Sequence, residues 1–158
     1  MSQLESSGAR VVPLIYHGDM ETELAKLPHL NGVLFAGGAG GGGYLNFGKK
    51  IFDWAKEQND QGNFFPLWGT CLGFQDLIKF VETDMKHIGN YTNRFYPENV
   101  EFLVEPKTSA LWSYFEDWEI DAIKTKKISY LEHGKGFGPD DFKNDTKLGQ
   151  FYRPTTVM

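Results

Sequence analysis

Cys71 is the only cysteine in 158 residues, and it stands between glycines in Gly69-Thr70-Cys71-Leu72-Gly73. A thiol becomes a useful nucleophile when its sulfur is held out over an edge of the fold and its thiolate form is favoured. Glycines two residues to either side allow the tight strand-to-helix turn that meets the first need, the thiol counterpart of the G-x-S-x-G nucleophile elbow. A helix starting just after the cysteine serves the second, because its free N–H groups carry partial positive charge. The competing reading is a core cysteine packed as a small hydrophobe. The flanking glycines and the change of pattern favour the elbow: residues 63–68 read as a short buried strand, whereas Leu72, Asp76, Leu77, Phe80 and Val81 follow helical spacing.

Acyl chemistry at a thiol also needs an oxyanion site and a base. Gly37-Gly38-Ala39-Gly40-Gly41-Gly42-Gly43 follows an apolar strand pattern, so its N–H groups are expected at the sheet edge where Cys71 emerges. Gly37 and Gly38, directly after the strand, are the candidates for an oxyanion hole; Gly40, Gly41, Gly42 and Gly43 read as a flexible surface loop. The run has neither a G-K-[ST] ending nor G-x-G-x-x-G with an acidic residue at the next strand end, which argues against a nucleotide site. The candidate bases are His17, His29, His87 and His133. His17 and His29 flank strand patterns and carry no motif, and His87 lies in a polar stretch. His133, in Tyr130-Leu131-Glu132-His133-Gly134, sits where a short strand pattern enters a glycine-containing loop and is the most site-like.

These residues need a scaffold. Residues 9–15 predict a strand, 20–27 a short helix, 31–36 a second strand, and 44–58, with Phe47, Ile51, Trp54 and Ala55 on one face, a helix. Strands alternating with helices predict an α/β fold: a parallel, flavodoxin-like sheet with helices on both faces and a ligand crevice at the strand ends. Past residue 84 the pattern weakens. Residues 99–104 read as a strand, 109–115 as a short helix, 122–129 are indistinct, 134–141 read as a loop, and 151–158 carry no closing element.

Length and a hydrophobic content of 41% suit one domain over residues 1–158. A net charge of -5 and a pI near 5.3 argue against nucleic-acid binding, and Lys124, Lys126 and Lys127 read as a solvated face. One cysteine excludes an intrachain disulfide and a cysteine-based zinc cluster, and no metal site is expected. No window is apolar and long enough to span a bilayer, and Met1-Ser2-Gln3-Leu4-Glu5 lacks the pattern of a signal peptide, so the chain as written reads as soluble, without a secretion address.

Three segments go beyond the elbow: Leu4-Glu5-Ser6-Ser7-Gly8-Ala9-Arg10-Val11-Val12-Pro13, Asn31-Gly32-Val33-Leu34-Phe35-Ala36-Gly37-Gly38 and Phe65-Pro66-Leu67-Trp68-Gly69-Thr70-Cys71-Leu72-Gly73-Phe74. With them the chain resembles the γ-glutamyl hydrolases, a branch of the class I glutamine-amidotransferase-like hydrolases. The resemblance covers the chain almost from its start to about residue 80 and continues more weakly through Val104-Glu105-Pro106 and His133 to Phe142.

That resemblance implies a class I glutamine-amidotransferase-like fold and a cysteine hydrolase that cleaves γ-linked glutamate from folate poly-γ-glutamates or other γ-glutamyl peptides without a cofactor. It assigns attack on the γ-amide carbonyl to Cys71, oxyanion stabilisation to the N–H groups of Gly38 and Leu72, and substrate contacts to Gly37 and His133. The family writes that histidine in an F-H-K-W context, where this chain has Glu132-His133-Gly134-Lys135. The implied partners include no nucleic acid and no membrane, and a homodimer is compatible. The implied location is lysosomal, vacuolar or secreted; Asn90-Tyr91-Thr92 and Asn144-Asp145-Thr146 are acceptor sequons, a short pattern that also recurs by chance. Family members begin with a strand and long helix before L-E-S-x-G-A-R and end with a W-H-P-E segment that bears the catalytic histidine. Neither is found in this sequence, so the expectation is an incomplete domain with little or no activity. The alternative is a non-catalytic pseudoenzyme serving as a binding or assembly module. A glutaminase-type amidotransferase subunit paired with a synthetase would share the elbow but not the family-specific segments.

Overall fold

The computed structural model describes residues 3–38, 40–83, 88–90, 93–143 and 146–158; His87 and the sequon residues Tyr91, Thr92, Asn144 and Asp145 lie outside them. The chain gathers into two compact units, Met1–Phe80 and Val81–Met158.

In the first unit, helix α1 (Gln3–Ser6) leads into residues 9–15, where a strand is expected and an irregular segment is found. A strand exists through its ladder, and here no ladder is described: two of the backbone groups bond side chains instead. The Ile15 N–H donates to Glu23 Oε2 at 2.9 Å, and Lys26 Nζ reaches the Pro13 carbonyl at 3.4 Å. Val11, Val12 and Ile15 are left exposed. Helix α2 (Met20–Leu24) starts at Asp19, whose carboxylate accepts from the Thr22 N–H at 2.8 Å. It ends earlier than predicted. Past it the chain turns through a 3₁₀ segment at Leu27–His29, with Pro28 in its first turn.

Strand β1 (Val33–Phe35), helix α3 (Gly42–Asp60), strand β2 (Leu67–Gly69) and helix α4 (Leu72–Val81) follow in the predicted order. β1 and β2 are parallel, with Val33 opposite Leu67, Leu34 opposite Trp68 and Phe35 opposite Gly69. Two boundaries differ from expectation. α3 begins inside the glycine run: Gly41 caps it and accepts from the Leu45 N–H at 3.1 Å, so Gly42 and Gly43 are helical rather than surface loop. β2 starts later than residue 63 because Asn59, near the end of α3, captures Phe65. The Phe65 N–H donates to Asn59 Oδ1 at 3.0 Å and its carbonyl accepts from Asn59 Nδ2 at 2.8 Å, while Pro66 has no N–H to give a ladder.

The core of this unit explains why the elements sit as they do. α3 buries Phe47, Gly48, Ile51, Phe52 and Ala55 on one stripe. Phe80 of α4 meets Phe35 and Phe52 at centroid distances of 5.8 and 5.6 Å, so both helices cover the Phe35 face of the strand pair. Gly48 is where they close on it: a methyl there would come within 2.8 Å of Phe80 Cζ and 3.1 Å of Phe35 Cε1. Leu34 and Trp68, on the opposite face, are exposed.

The second unit contains strand β3 (Asn93–Glu98), strand β4 (Glu101–Phe102), helix α5 (Asp117–Thr125), strand β5 (Ser129–His133), helix α6 (Lys147–Phe151) and strand β6 (Thr156–Val157). β3 pairs antiparallel with β5, and β4 with β6. The expected strand at 99–104 shrinks to β4, and the expected helix at 109–115 is replaced by 3₁₀ turns at Pro106–Thr108 and Trp112–Tyr114. Residues 122–129 hold the end of α5, whose start is fixed by Glu119 Oε2 accepting from the Glu116 N–H at 2.8 Å. Residues 151–158, read as lacking a closing element, complete α6 and supply β6. Val100, Ile120 and Leu148 are buried here. The class is therefore α/β with a small parallel sheet, and among the described residues no sheet exceeds two strands.

Candidate active site

Cys71 falls in the two-residue gap between β2 and α4 with φ at 54°, and is exposed; among the described residues it is the only non-glycine with positive φ. An L-residue in the left-handed region is strained and persists only where its surroundings fix it. Here they do. The Thr70 N–H donates to the Phe35 carbonyl at 3.0 Å, carrying the β1–β2 pairing into the turn, and the Gly73 N–H donates to the Thr70 carbonyl at 2.9 Å, turning the chain into α4.

Both glycines of the motif are needed for close approach. A methyl on Gly73 would lie 2.0 Å from the Phe35 carbonyl oxygen, and one on Gly69 would lie 2.6 Å from the Gly73 carbonyl carbon and oxygen. Gly73 thus lets α4 start against β1, and Gly69 lets β2 end beneath the first turn of α4.

The glycine run meets the thiol. A methyl on Gly37 would come within 3.1 Å of Cys71 Cβ and 3.8 Å of Sγ, which puts the loop after β1 on the same sheet edge as the cysteine. Gly38 adopts φ of 131°, a conformation that L side chains rarely reach. Leu72 opens α4, and an N–H at the first helical position has no acceptor inside its own helix.

The described histidines are divided between the two units. His17 and His29 lie in the first unit and are exposed, and no described hydrogen bond joins either imidazole to the sulfur. His133 is the last residue of β5, opposite Asn93 in the second unit, and its Nδ1 is buried without a partner among the described residues.

Two side chains beside this edge escaped the sequence reading, and a third, Asp76, was read only as a place in the helical pattern. Asp76 of α4 is fully buried; its Oδ1 accepts from Lys79 Nζ at 3.2 Å, while Oδ2 has no hydrogen-bond partner among the described residues. A carboxylate at an apolar position of the helix that follows the cysteine was the available signal. Tyr44, in the first turn of α3, packs over Gly40, where a methyl would come 2.8 Å from its ring. Burial, and to a lesser degree the Asp76 carboxylate, push the Tyr44 hydroxyl above the usual tyrosine range. Tyr16 lies edge-on to Tyr44 at 5.7 Å and to His17 at 5.1 Å.

Glu23 fixes the backbone next to Tyr16 by accepting from the Ile15 N–H. The Lys26 ammonium at 2.7 Å and then that N–H lower the Glu23 carboxyl below its ordinary value. A group depressed in the folded state stabilises above its unfolded pKa and loses the contribution as pH falls through the lowered value. Protection of the Ile15 amide from hydrogen exchange is therefore expected to be full at neutral pH and to fade below the ordinary glutamate range. Glu23→Gln should lower that protection at neutral pH and remove its acid dependence; an Ile15 amide unaffected by the substitution would refute the clamp.

Parallel strands, a strained exposed thiol at a strand-to-helix turn and a glycine loop against it define an α/β protein with an elbow of the nucleophile type. No family model matches the chain. Curated relatives do. Probable gamma-glutamyl hydrolase 3 of Arabidopsis thaliana is 31% identical over 157 residues, covering 97% of this chain and 44% of the relative. The gamma-glutamyl hydrolase of Rattus norvegicus is 30% identical over 159 residues, 98% of this chain and 49% of the relative. That of Bos taurus is 41% identical over 148 residues, 82% of this chain and 46% of the relative. The chain is thus similar over most of its length to γ-glutamyl hydrolases, as its motifs implied, and spans under half the length of these relatives.

Proposed function

We propose that this chain is a γ-glutamyl hydrolase-like cysteine hydrolase, an omega-peptidase acting on γ-linked glutamate in folate poly-γ-glutamates or other γ-glutamyl peptides. The observation that carries the reading is Cys71 itself: exposed, held at positive φ between β2 and α4, with Gly37 packed against its Cβ. In this account the Cys71 thiolate attacks the γ-carbonyl, the C–N bond breaks to leave a thioester as the amine departs with a proton taken from water, and a further water cleaves the thioester to release the γ-glutamyl acid and restore the thiol. The N–H groups of Gly38 and Leu72 bind the tetrahedral oxyanion, which gains most from donors fixed in advance. By the family resemblance alone, His133 is the candidate for a substrate contact. Similarity running across both units supports reading residues 1–158 as one hydrolase-like domain of the glutamine-amidotransferase type, flavodoxin-like in its parallel sheet. The family resemblance implies a lysosomal, vacuolar or secreted setting.

A general base typically contributes about a hundred- to ten-thousandfold. With neither His17 nor His29 hydrogen-bonded to the sulfur, turnover by these residues alone is expected to be slow. The test is release of glutamate from γ-glutamylglutamate and from α-glutamylglutamate by the purified chain. Preference for the γ-linked dipeptide supports the hydrolase. No release from either, with γ-glutamylglutamate still bound, would favour the non-catalytic binding module.

A further inference from the structure

We propose that the free edge of β4 takes an extended apolar peptide, whose main chain pairs with Phe102 and whose C-terminal carboxylate meets Lys124. The site lies in the second unit and does not rest on the reading of Cys71.

The backbone bonds define the edge. Glu101 stands opposite Val157 and Phe102 opposite Thr156, and one residue further the Leu103 N–H donates to the Thr155 carbonyl at 2.9 Å. In an antiparallel pair, residues that exchange bonds with the partner strand alternate with residues whose N–H and C=O point the other way. Phe102, next to Leu103, therefore turns its N–H and C=O away from β6. Val100, two residues earlier, gives its N–H to the Ile123 carbonyl of α5 at 3.2 Å, whereas no described residue takes the N–H or C=O of Phe102. A peptide laid along this edge can exchange both bonds with Phe102, as strands added to open sheet edges do.

A cavity runs along the same residues. Its volume is about 920 Å³, and Phe102, Leu103, Val104, Val157 and Met158 give it apolar walls. Lys124, near the end of α5, also lines it and holds its ammonium 5.3 Å from the centre of the Phe102 ring. Lys107 pairs with Asp117 and Lys127 with Glu98, but Lys124 has no ion pair among the described residues. A carboxylate would complete it. Glu101 and Glu105 line the cavity as exposed side chains, so acidic residues are repelled and negative charge is favoured only where Lys124 answers it.

The probe is trivaline, an apolar strand-former with a free carboxylate, titrated into the isotope-labelled chain and followed by amide resonances. Its C-terminal amide and a form methylated at both peptide nitrogens serve as controls. Trivaline is expected to move the Phe102 amide saturably. Amidation should weaken binding about two- to fivefold in the natural chain and leave it unchanged in Lys124→Met, which keeps an apolar stem over Phe102. Methylation removes the donors of the added strand and should cost about two- to tenfold in both proteins. A Phe102 amide that stays put, an amidation penalty that survives Lys124→Met, or equal binding of the methylated peptide would each overturn the site. A Phe102 amide that shifts with protein concentration alone would give the edge to a second copy of the chain and overturn it as well.

Discussion

Gly73→Ala is expected to take the elbow apart. The added methyl would sit 2.0 Å from the Phe35 carbonyl oxygen, and that atom belongs to β1, so no rotamer can move it away. Either α4 shifts off the strand pair or β1 moves, and both routes disturb Phe35 and Phe80, which meet at 5.8 Å in the core. Overpacking commonly costs about 1–3 kcal/mol and sometimes more; a backbone clash belongs at the upper end. Denaturant unfolding reads the loss directly. The control lies in the same unit. At Gly42 a methyl meets nothing within 4 Å and the position is helical, so Gly42→Ala is expected to be neutral or stabilising by up to about 1 kcal/mol. Equal effects from the two substitutions would mean that the close approach of α4 to β1 is wrong.

Cys71→Ala is expected to abolish whatever glutamate release the protein shows, because no other thiol exists to form the thioester. It should leave stability nearly unchanged, since alanine inherits the same positive φ. Cys71→Gly is the informative partner. Glycine reaches φ of 54° without a Cβ penalty, which for an L-residue is about 1–2 kcal/mol, partly offset by the greater freedom glycine has when unfolded. The glycine variant should therefore be inactive and at least as stable as the alanine one. Turnover that survives both substitutions would remove Cys71 from the chemistry. A glycine variant less stable than the alanine one would mean that the turn stores no strain.

The elbow was legible because its chemistry is local. Gly69 and Gly73 flank Cys71 at the spacing a strand-to-helix turn needs, and their contacts with each other and with Phe35 account for both. α4 and α3 were legible through their buried stripes, and β1 with β2 through short apolar runs. Residues 9–15 had strand composition, but the Ile15 N–H and the Pro13 carbonyl are taken by Glu23 and Lys26, side chains whose reach no periodicity reveals. Asn59 displaced the start of β2 in the same way. β6 is two residues long and is defined only by pairing with β4 more than fifty positions earlier. Tyr16 and Tyr44 were missed because each gains its meaning from the other, distant in sequence, and Asp76 was read only as a place in the helical pattern.

The most direct test of the central claim is linkage-selective protection of the thiol. Cys71 is alkylated with iodoacetamide near neutral pH, with the rate followed by intact mass, in the presence of γ-glutamylglutamate or α-glutamylglutamate at matched concentrations. If the elbow, the glycine loop and Cys71 form a γ-glutamyl site, the γ-linked dipeptide slows alkylation saturably and the α-linked one does not. Equal rates with both, unchanged from the free protein, would contradict the account.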